Sequence, residues 1–337
     1  MTAAPTAPVR YVWVDLAKCV SILLVISYHC PPRYDGYLFD ILRLLRMPAF
    51  FMIAGFLFNY PKFPTFGAFL RHRGVRLLVP YTSFFLIFYP LWLFVARPLL
   101  GGDDLAASPL QPLFDFLWGS PTLVVAPYWF ICCLFSMQLL HYLLRRYLPL
   151  PLLVPVILLL PLLHSLPFSS RLPWNLSQAF LYLPYYALPN LLKAPVRRLG
   201  LPHLPLILPM LIVSLVLIRH ISSFSGILRD YLSLLSGMLL LPAYILLIKQ
   251  LSRLPIGRFA RFIGGNTIII LALQNYIIGA LLLLPFSLAL PPLLHNLLFA
   301  LLVLFLTIPF ILLINRRFPA LIGRGVRFSA LLSSTRI

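Results

Sequence analysis

The chain contains no glutamate, and seven aspartates are its whole stock of acidic side chains, against 27 Lys+Arg. So few acids count against a secondary transporter or flippase of lipid-linked sugars. Such a protein carries ionisable groups near the midplane of several spans and broken helices paired between two related halves. Here only Asp15 stands at the edge of an apolar stretch, and no two-half symmetry is visible. The four cysteines have neither metal-ligand spacing nor the pattern of a disulfide framework. Cys19, Cys132 and Cys133 fall inside apolar stretches and Cys30 at the end of one, so they read as small buried residues. The first residues, MTAAPTAPVR, lack the positive start and short apolar core of a cleavable signal peptide, so the first apolar stretch is expected to stay as an anchor. Long soluble loops, low-complexity tracts and repeats of fixed period are missing as well, and the longest polar connections are 60–76 and 97–121. Chemistry is therefore expected in or at a membrane.

What is present is apolar: 61% of the residues are hydrophobic. Stretches long enough to cross a hydrocarbon core, roughly 20 helical residues each, number about ten. They fall at 12–30, 41–59, 77–96, 122–144, 149–166, 174–192, 203–219, 228–249, 266–289 and 293–314. The fold expected is an all-α integral membrane protein, a polytopic bundle, with a tail at 1–11, a transmembrane domain at 12–314 and a basic tail at 315–337. Its 33 prolines are compatible with this, because membrane helices tolerate proline where neighbouring groups satisfy the freed carbonyls.

Charge sets the topology. One side of the membrane receives Arg10, Lys62, Arg71, Arg73, Arg76, Arg145, Arg146, Lys193, Arg197, Arg198, Lys249, Arg253, Arg258, Arg261, Arg316, Arg317, Arg324, Arg327 and Arg336. The other receives Arg33, Arg43, Arg46, Arg97, Arg171, Arg219 and Arg229 together with Asp35, Asp40, Asp103, Asp104, Asp115 and Asp230. The positive-inside rule makes the first side cytoplasmic, with both termini there. In a soluble chain a pI near 10.4 would point to nucleic acid. Spread over loops between spans, the same charge reads as topology determinants beside anionic headgroups, and no nucleic acid partner is expected.

A charge inside a bilayer costs a few kcal/mol or more and survives only with a partner or a water-filled cavity. The first stretch carries Asp15, Lys18 and His29. At about 100° per residue, Lys18 and His29 lie about 20° apart around the helix and about 16 Å apart along it, with Asp15 about 40° to the other side of His29. Asp15 and Lys18, three residues apart, can neutralise each other. Asn266, Thr267, Gln274 and Asn275 form a polar band in a late apolar stretch. His141, His164, His203, His220 and His295 fall at loops or stretch ends and read as interfacial. Tyr11, Trp13, Trp92, Trp118, Tyr128, Trp129, Trp174, Tyr182, Tyr185 and Tyr186 read mostly as a membrane-interface belt.

Three blocks together resemble the acyltransferase 3 superfamily of integral membrane O-acyltransferases, in particular its fucose 4-O-acetylase-like and exopolysaccharide acetylase branch. The first stretch resembles a W-x-D-x-x-K…H pattern through Asp15, Lys18 and His29. The block Arg46-Met-Pro48-Ala-Phe50-Phe51-Met-Ile-Ala54-Gly55-Phe56 is similar to F-H-M-P-x-F-F-x-x-S-G-F. The block at Arg73, Arg76, Pro80 and Tyr81 is similar to R-x-x-R-L-L-x-P-Y. Looser matches follow at Pro127–Phe135, Leu183–Pro189 and Phe262–Ile270, so the resemblance covers nearly the whole chain. Arg46, Ala54 and Gln274 stand where that branch carries His, Ser and His.

The resemblance implies an enzyme of the bacterial inner membrane that moves an acetyl group from acetyl-CoA to a sugar hydroxyl of a polyprenol-linked exopolysaccharide or surface glycan. It implies no permanently bound cofactor and no metal. It also implies other polysaccharide assembly proteins as partners, and the alternatives to this reading are the lipid-linked sugar transporter or flippase and a catalytically silent subunit of such an assembly. His29 then acts as general base or as acyl carrier, supported by Lys18 and Asp15. Arg71, Arg73 and Arg76, read as a loop with His72 and Gly74, would grip the phosphates of the donor. Arg46 would polarise the carbonyl or hold an acidic acceptor, and Asn266, Gln274 and Asn275 would bind the sugar.

Overall fold

The computed structural model describes residues 11–31, 36–100, 108–122, 124–284 and 290–325. Arg10, Arg33, Asp35, Asp103, Asp104, Arg327 and Arg336 lie outside the described residues, as do most of both expected tails. The apolar stretches fall on helices: α1 (Val12–His29), α2 (Tyr37–Leu57), α3 (Phe66–Leu99), α5 (Trp129–Tyr147), α6 (Leu150–His164), α7 (Leu176–Leu191), α9 (Leu204–His220), α10 (Gly226–Leu251), α12 (Thr267–Leu282) and α13 (Pro292–Arg317). Three shorter helices, α4 (Gln111–Trp118), α8 (Lys193–Arg198) and α11 (Gly257–Gly264), connect them, and no strand occurs among the described residues. This is an all-α polytopic membrane protein.

Among the described residues six helices are long and apolar enough to span, and the pair α11–α12, bent by 77° at its break, brings the number to seven. The remaining three of the expected set differ for plain reasons. Helix α2 carries Asp40, Arg43 and Arg46, while α6 and α7 are short.

Helix α1 is the centre of the bundle. Ala17, Ile22 and Ile26 have no exposed surface, and α2, α10, α11, α12 and α13 all pack on it. Glycines allow the closest of these approaches. A side chain at Gly264 would overlap the Asp15 carbonyl, and one at Gly55 would overlap the Tyr186 carbonyl, so α11 meets α1, and α7 meets α2, backbone to backbone. All four cysteines are buried.

Helix α3 is the longest and contains two widened π turns, Gly74–Leu78 and Trp92–Ala96. Each ends two residues before a proline, Pro80 or Pro98. Proline offers no N–H to the carbonyl one turn back, and the chain answers by bonding five residues back: Val79 N–H to the Gly74 oxygen and Arg97 N–H to the Trp92 oxygen. Inserted turns of this kind are common at functional sites.

Hydrogen bonds define two ends of the bundle. At one, which we call the basic end, Arg145 Nη1 donates to Asn190 Oδ1 (2.7 Å), Asn190 Nδ2 donates to the Gly55 oxygen (2.9 Å), and Lys249 Nζ donates to the Val196 and Leu199 oxygens (2.7 and 2.8 Å). At the other, the mixed end, Ser165 Oγ donates to Asp230 Oδ2 (2.8 Å) and Arg43 pairs with Asp40 (3.6 Å).

Two expectations are corrected here. Trp13, Trp92, Tyr128, Tyr185 and Tyr186 are buried rather than interfacial; their rings fill helix–helix contacts, as Tyr186 does against Phe58. His141 and His295 are buried too. His141 Nε2 bonds Asn190 Oδ1 at 3.0 Å, and His164 Nδ1 bonds Ser177 Oγ at 2.8 Å.

Candidate active site

A cavity of about 230 Å³ lies between α1, α2, α3, α5 and α12, with Lys18, Arg73, Gln138 and Thr267 as its polar lining and Phe50, Ala54, Leu77, Phe130 and Ile268 among its apolar walls. Lys18 comes from the central helix three residues after Asp15, which is 7% exposed and whose backbone is held against Gly264. Arg73 comes from the last helical position before the first π turn. Its guanidinium sits 5.1 Å from the Phe58 ring and 5.3 Å from the Phe63 ring, contacts worth about 1–2 kcal/mol when desolvated. Arg73 Nε and Gln138 Oε1 are buried and make no hydrogen bond within the protein. Ala54, where the related branch carries Ser, lines the same cavity.

The arginine run is helical, not a loop. Helix α3 starts at Phe66, capped by Thr65, whose Oγ1 accepts from Ala68 N–H (3.2 Å), and it runs through Arg71 and Arg73 into the π turn that contains Arg76. The three side chains therefore diverge. Arg73 enters the central cavity, Arg71 lies on the outer face of α3 beside Gly67, Gly74 and Leu78, and Arg76 lines a second cavity of about 160 Å³ with Gly265, Asn266, Ile268 and Arg324. Ile268 is a wall of both the first cavity and the second. Tyr81, matched to the same motif, is structural: it is buried, and its hydroxyl donates to the Phe116 oxygen (2.6 Å).

Arg324 had no signal in the sequence beyond its charge. It reaches the site because Gly323 turns the chain in the left-handed region (φ 67°), where a side chain would overlap the Val75 carbonyl. Arg324 donates to Asn315 Oδ1 and to the Gly265 oxygen (3.1 Å), and Asn315 Nδ2 donates to Asn266 Oδ1 (2.8 Å). Burial, and then the neighbouring Arg76, lower the Arg324 pKa from its ordinary value. Burial likewise lowers that of Lys193, with Arg145 and Arg197 adding to it; its ammonium donates to the Phe58 oxygen. The basic end thus holds cations at some cost, without a carboxylate lining either cavity.

His29 is the last residue of α1, about 16 Å along the helix from Lys18 by helical rise. Its ring meets the edge of Tyr28 (5.2 Å between centroids), and the Arg46 guanidinium lies 3.6 Å from the centre of the same Tyr28 ring. Tyr28, which sequence reasoning passed over, is thus the element between the two predicted residues. On α12 the polar band divides. Asn266 and Thr267 belong to the basic-end cavities, whereas Gln274, wholly buried with both amide atoms unbonded within the protein, lies about 10 Å further along. Asn275 lines a separate cavity of about 570 Å³ with Trp92, Asp115 and Tyr276.

Apolar helices packed around one central charged helix, with a cavity that takes Lys18 and Arg73 among apolar walls, are the frame of a polytopic membrane protein with an interior site. The acyltransferase 3 family model, described as an acyltransferase domain, matches residues 11–316, nearly the whole chain, and the chain belongs to that family. It is accordingly a multi-pass membrane acyltransferase. No match is found among curated proteins, and none among solved structures.

Proposed function

We propose that this acyltransferase transfers an acetyl group from acetyl-CoA, entering at the basic end, to a sugar hydroxyl of a polyprenol-linked exopolysaccharide or surface glycan in a bacterial inner membrane, with both termini cytoplasmic. The observation that carries the reading is the pair of cavities sharing Ile268. The outer one presents Arg76 and Arg324 to the phosphates, which guanidinium forks match in pairs. The inner one presents Arg73 and Lys18, which steer the donor inward, and Asp15 holds the local charge near neutral. Arg71, on the outer face of α3, adds to the field that attracts the polyanion.

The pantetheine arm, roughly 15–20 Å when extended, spans the distance from Lys18 to the level of His29. There neutral imidazole takes the proton of the sugar hydroxyl as its oxygen bonds to the thioester carbonyl carbon. The carbon–sulfur bond then breaks, and the departing thiolate recovers the proton. General-base help of this kind is worth about 10²–10⁴ in rate. In the covalent variant His29 first carries the acetyl group and then passes it on. Arg46 is suited to polarise the carbonyl, and the unbonded amide of Gln274, with Asn275, offers partners to the acceptor; Asn266 serves the donor side through Asn315 and Arg324.

The test is transfer of label from acetyl-CoA to carbohydrate in membranes carrying the intact protein or His29→Ala at equal expression. Label that reaches carbohydrate only with His29 supports the reading. Equal transfer by both would overturn the role of His29, and label accumulating on neither carbohydrate nor water would favour a silent subunit.

A further inference from the structure

At the mixed end a cavity of about 340 Å³ opens between α2, α7 and α10, within the size range of small-molecule sites. Resting on the reading above, we propose that this cavity takes one unit of the acceptor glycan, in addition to the contacts offered by Gln274 and Asn275, and that it selects a sugar unit carrying a negatively charged group. Its lining has the composition saccharide recognition needs: Arg43, Arg229, Asp230 and Ser233 for hydroxyls and charge, and the rings of Tyr182 and Tyr185 for the carbon face.

The walls are fixed before any ligand arrives. Asp230 accepts from Ser165 Oγ (2.8 Å), and the Tyr185 hydroxyl donates to the Leu234 oxygen (3.1 Å). Two guanidiniums face one carboxylate in the lining. Arg43 has a second acidic neighbour, Asp40, but at 3.6 Å, longer than the 2.7–2.9 Å of a charge-assisted hydrogen bond. Arg43 Nε is buried and unbonded within the protein, and Arg229 is exposed at the rim. The surplus is cationic and directed at an anion.

The cavity also connects with the chemistry. Arg43, which lines the cavity, and Arg46 lie one turn apart on α2. Arg46 in turn rests on Tyr28, against whose edge His29 packs.

The experiment uses full-length protein in detergent and three probes: a glucuronic acid-containing disaccharide, glucose 1-phosphate and the neutral disaccharide cellobiose. Kd is measured by equilibrium dialysis, and labelled acetyl-CoA binding is measured on the same samples. The intact protein should bind at least one acidic probe ten times more tightly than cellobiose, and the preferred acid distinguishes a carboxylate acceptor from a phosphate. Arg229→Gln, a rim change that leaves the fold alone, and Arg43→Gln should each remove most of that preference without altering acetyl-CoA binding. Absence of any acidic preference, or a preference untouched by Arg229→Gln, overturns the site. If acidic probes fail while His29-dependent transfer from acetyl-CoA persists, only the acceptor site is wrong; if the intact protein also fails to bind acetyl-CoA, the activity itself has been misread.

Discussion

The two ends of the bundle hold cations in opposite ways. At the basic end Lys18, Arg73, Arg76 and Arg324 line two cavities that share Ile268 as a wall, with no carboxylate among the lining residues. At the mixed end Arg43 and Arg229 share a cavity with Asp230, and Asp40 stands beside Arg43. A site whose cavity lining holds cations and no carboxylate binds a polyanion by charge and is weakened by salt. A site where two guanidiniums share the lining with one carboxylate carries a smaller net charge, binds by directional hydrogen bonds and discriminates more than it attracts. On the function proposed above, a donor with several phosphates suits the first and an acidic sugar suits the second.

The largest effect expected is at the junction between the ends. His29→Ala should lower kcat by about 10²–10⁴ while acetyl-CoA still binds, as measured in initial rates and in donor binding to membranes. At the basic end, Arg73→Ala should raise the KM for the donor about tenfold or more, the range expected for a lost hydrogen bond to a charged group. Arg73→Lys should recover only part of it, because the fork is gone, and the dependence of donor KM on salt should become shallower. Gly237→Ala probes the mixed end alone. Its added methyl collides with the Tyr185 hydroxyl, so acceptor KM should rise several-fold while donor KM stays level; equal changes in both would erase the distinction between the two sites. The smallest effect is at Arg324, partly exposed and held by Asn315 and Gly265. Arg324→Ala should raise donor KM a few-fold without changing kcat.

Much of the fold was legible in the sequence because membrane helices announce themselves by apolar length and loop charge. The candidate site was legible only in part. Lys18 and His29 could be placed on one stripe because both lie on one helix. Three arginines within six positions read as a loop because charge usually marks a loop. Thr65, a helix cap three residues before Ala68, was the overlooked signal that α3 begins earlier. Pro80 likewise marked the π turn that separates Arg73 from Arg76. Arg324, His141 and Asn190 act through contacts between helices distant in sequence, such as Arg324 with Gly265 and His141 with Asn190, and no local spacing encodes those. The buried aromatics went astray for the same reason: composition places Tyr and Trp near an interface, but only packing says which ones turn inward.

The central claim is that the basic end takes the donor and delivers its acetyl group past His29. Sealed membrane vesicles of both orientations, given labelled acetyl-CoA from outside, test it most directly. Transfer to carbohydrate should occur in vesicles that expose the basic end, identified by cleavage of a tag placed after Arg324, and should disappear with His29→Ala. Transfer in the opposite orientation alone, or equally in both, would contradict the account.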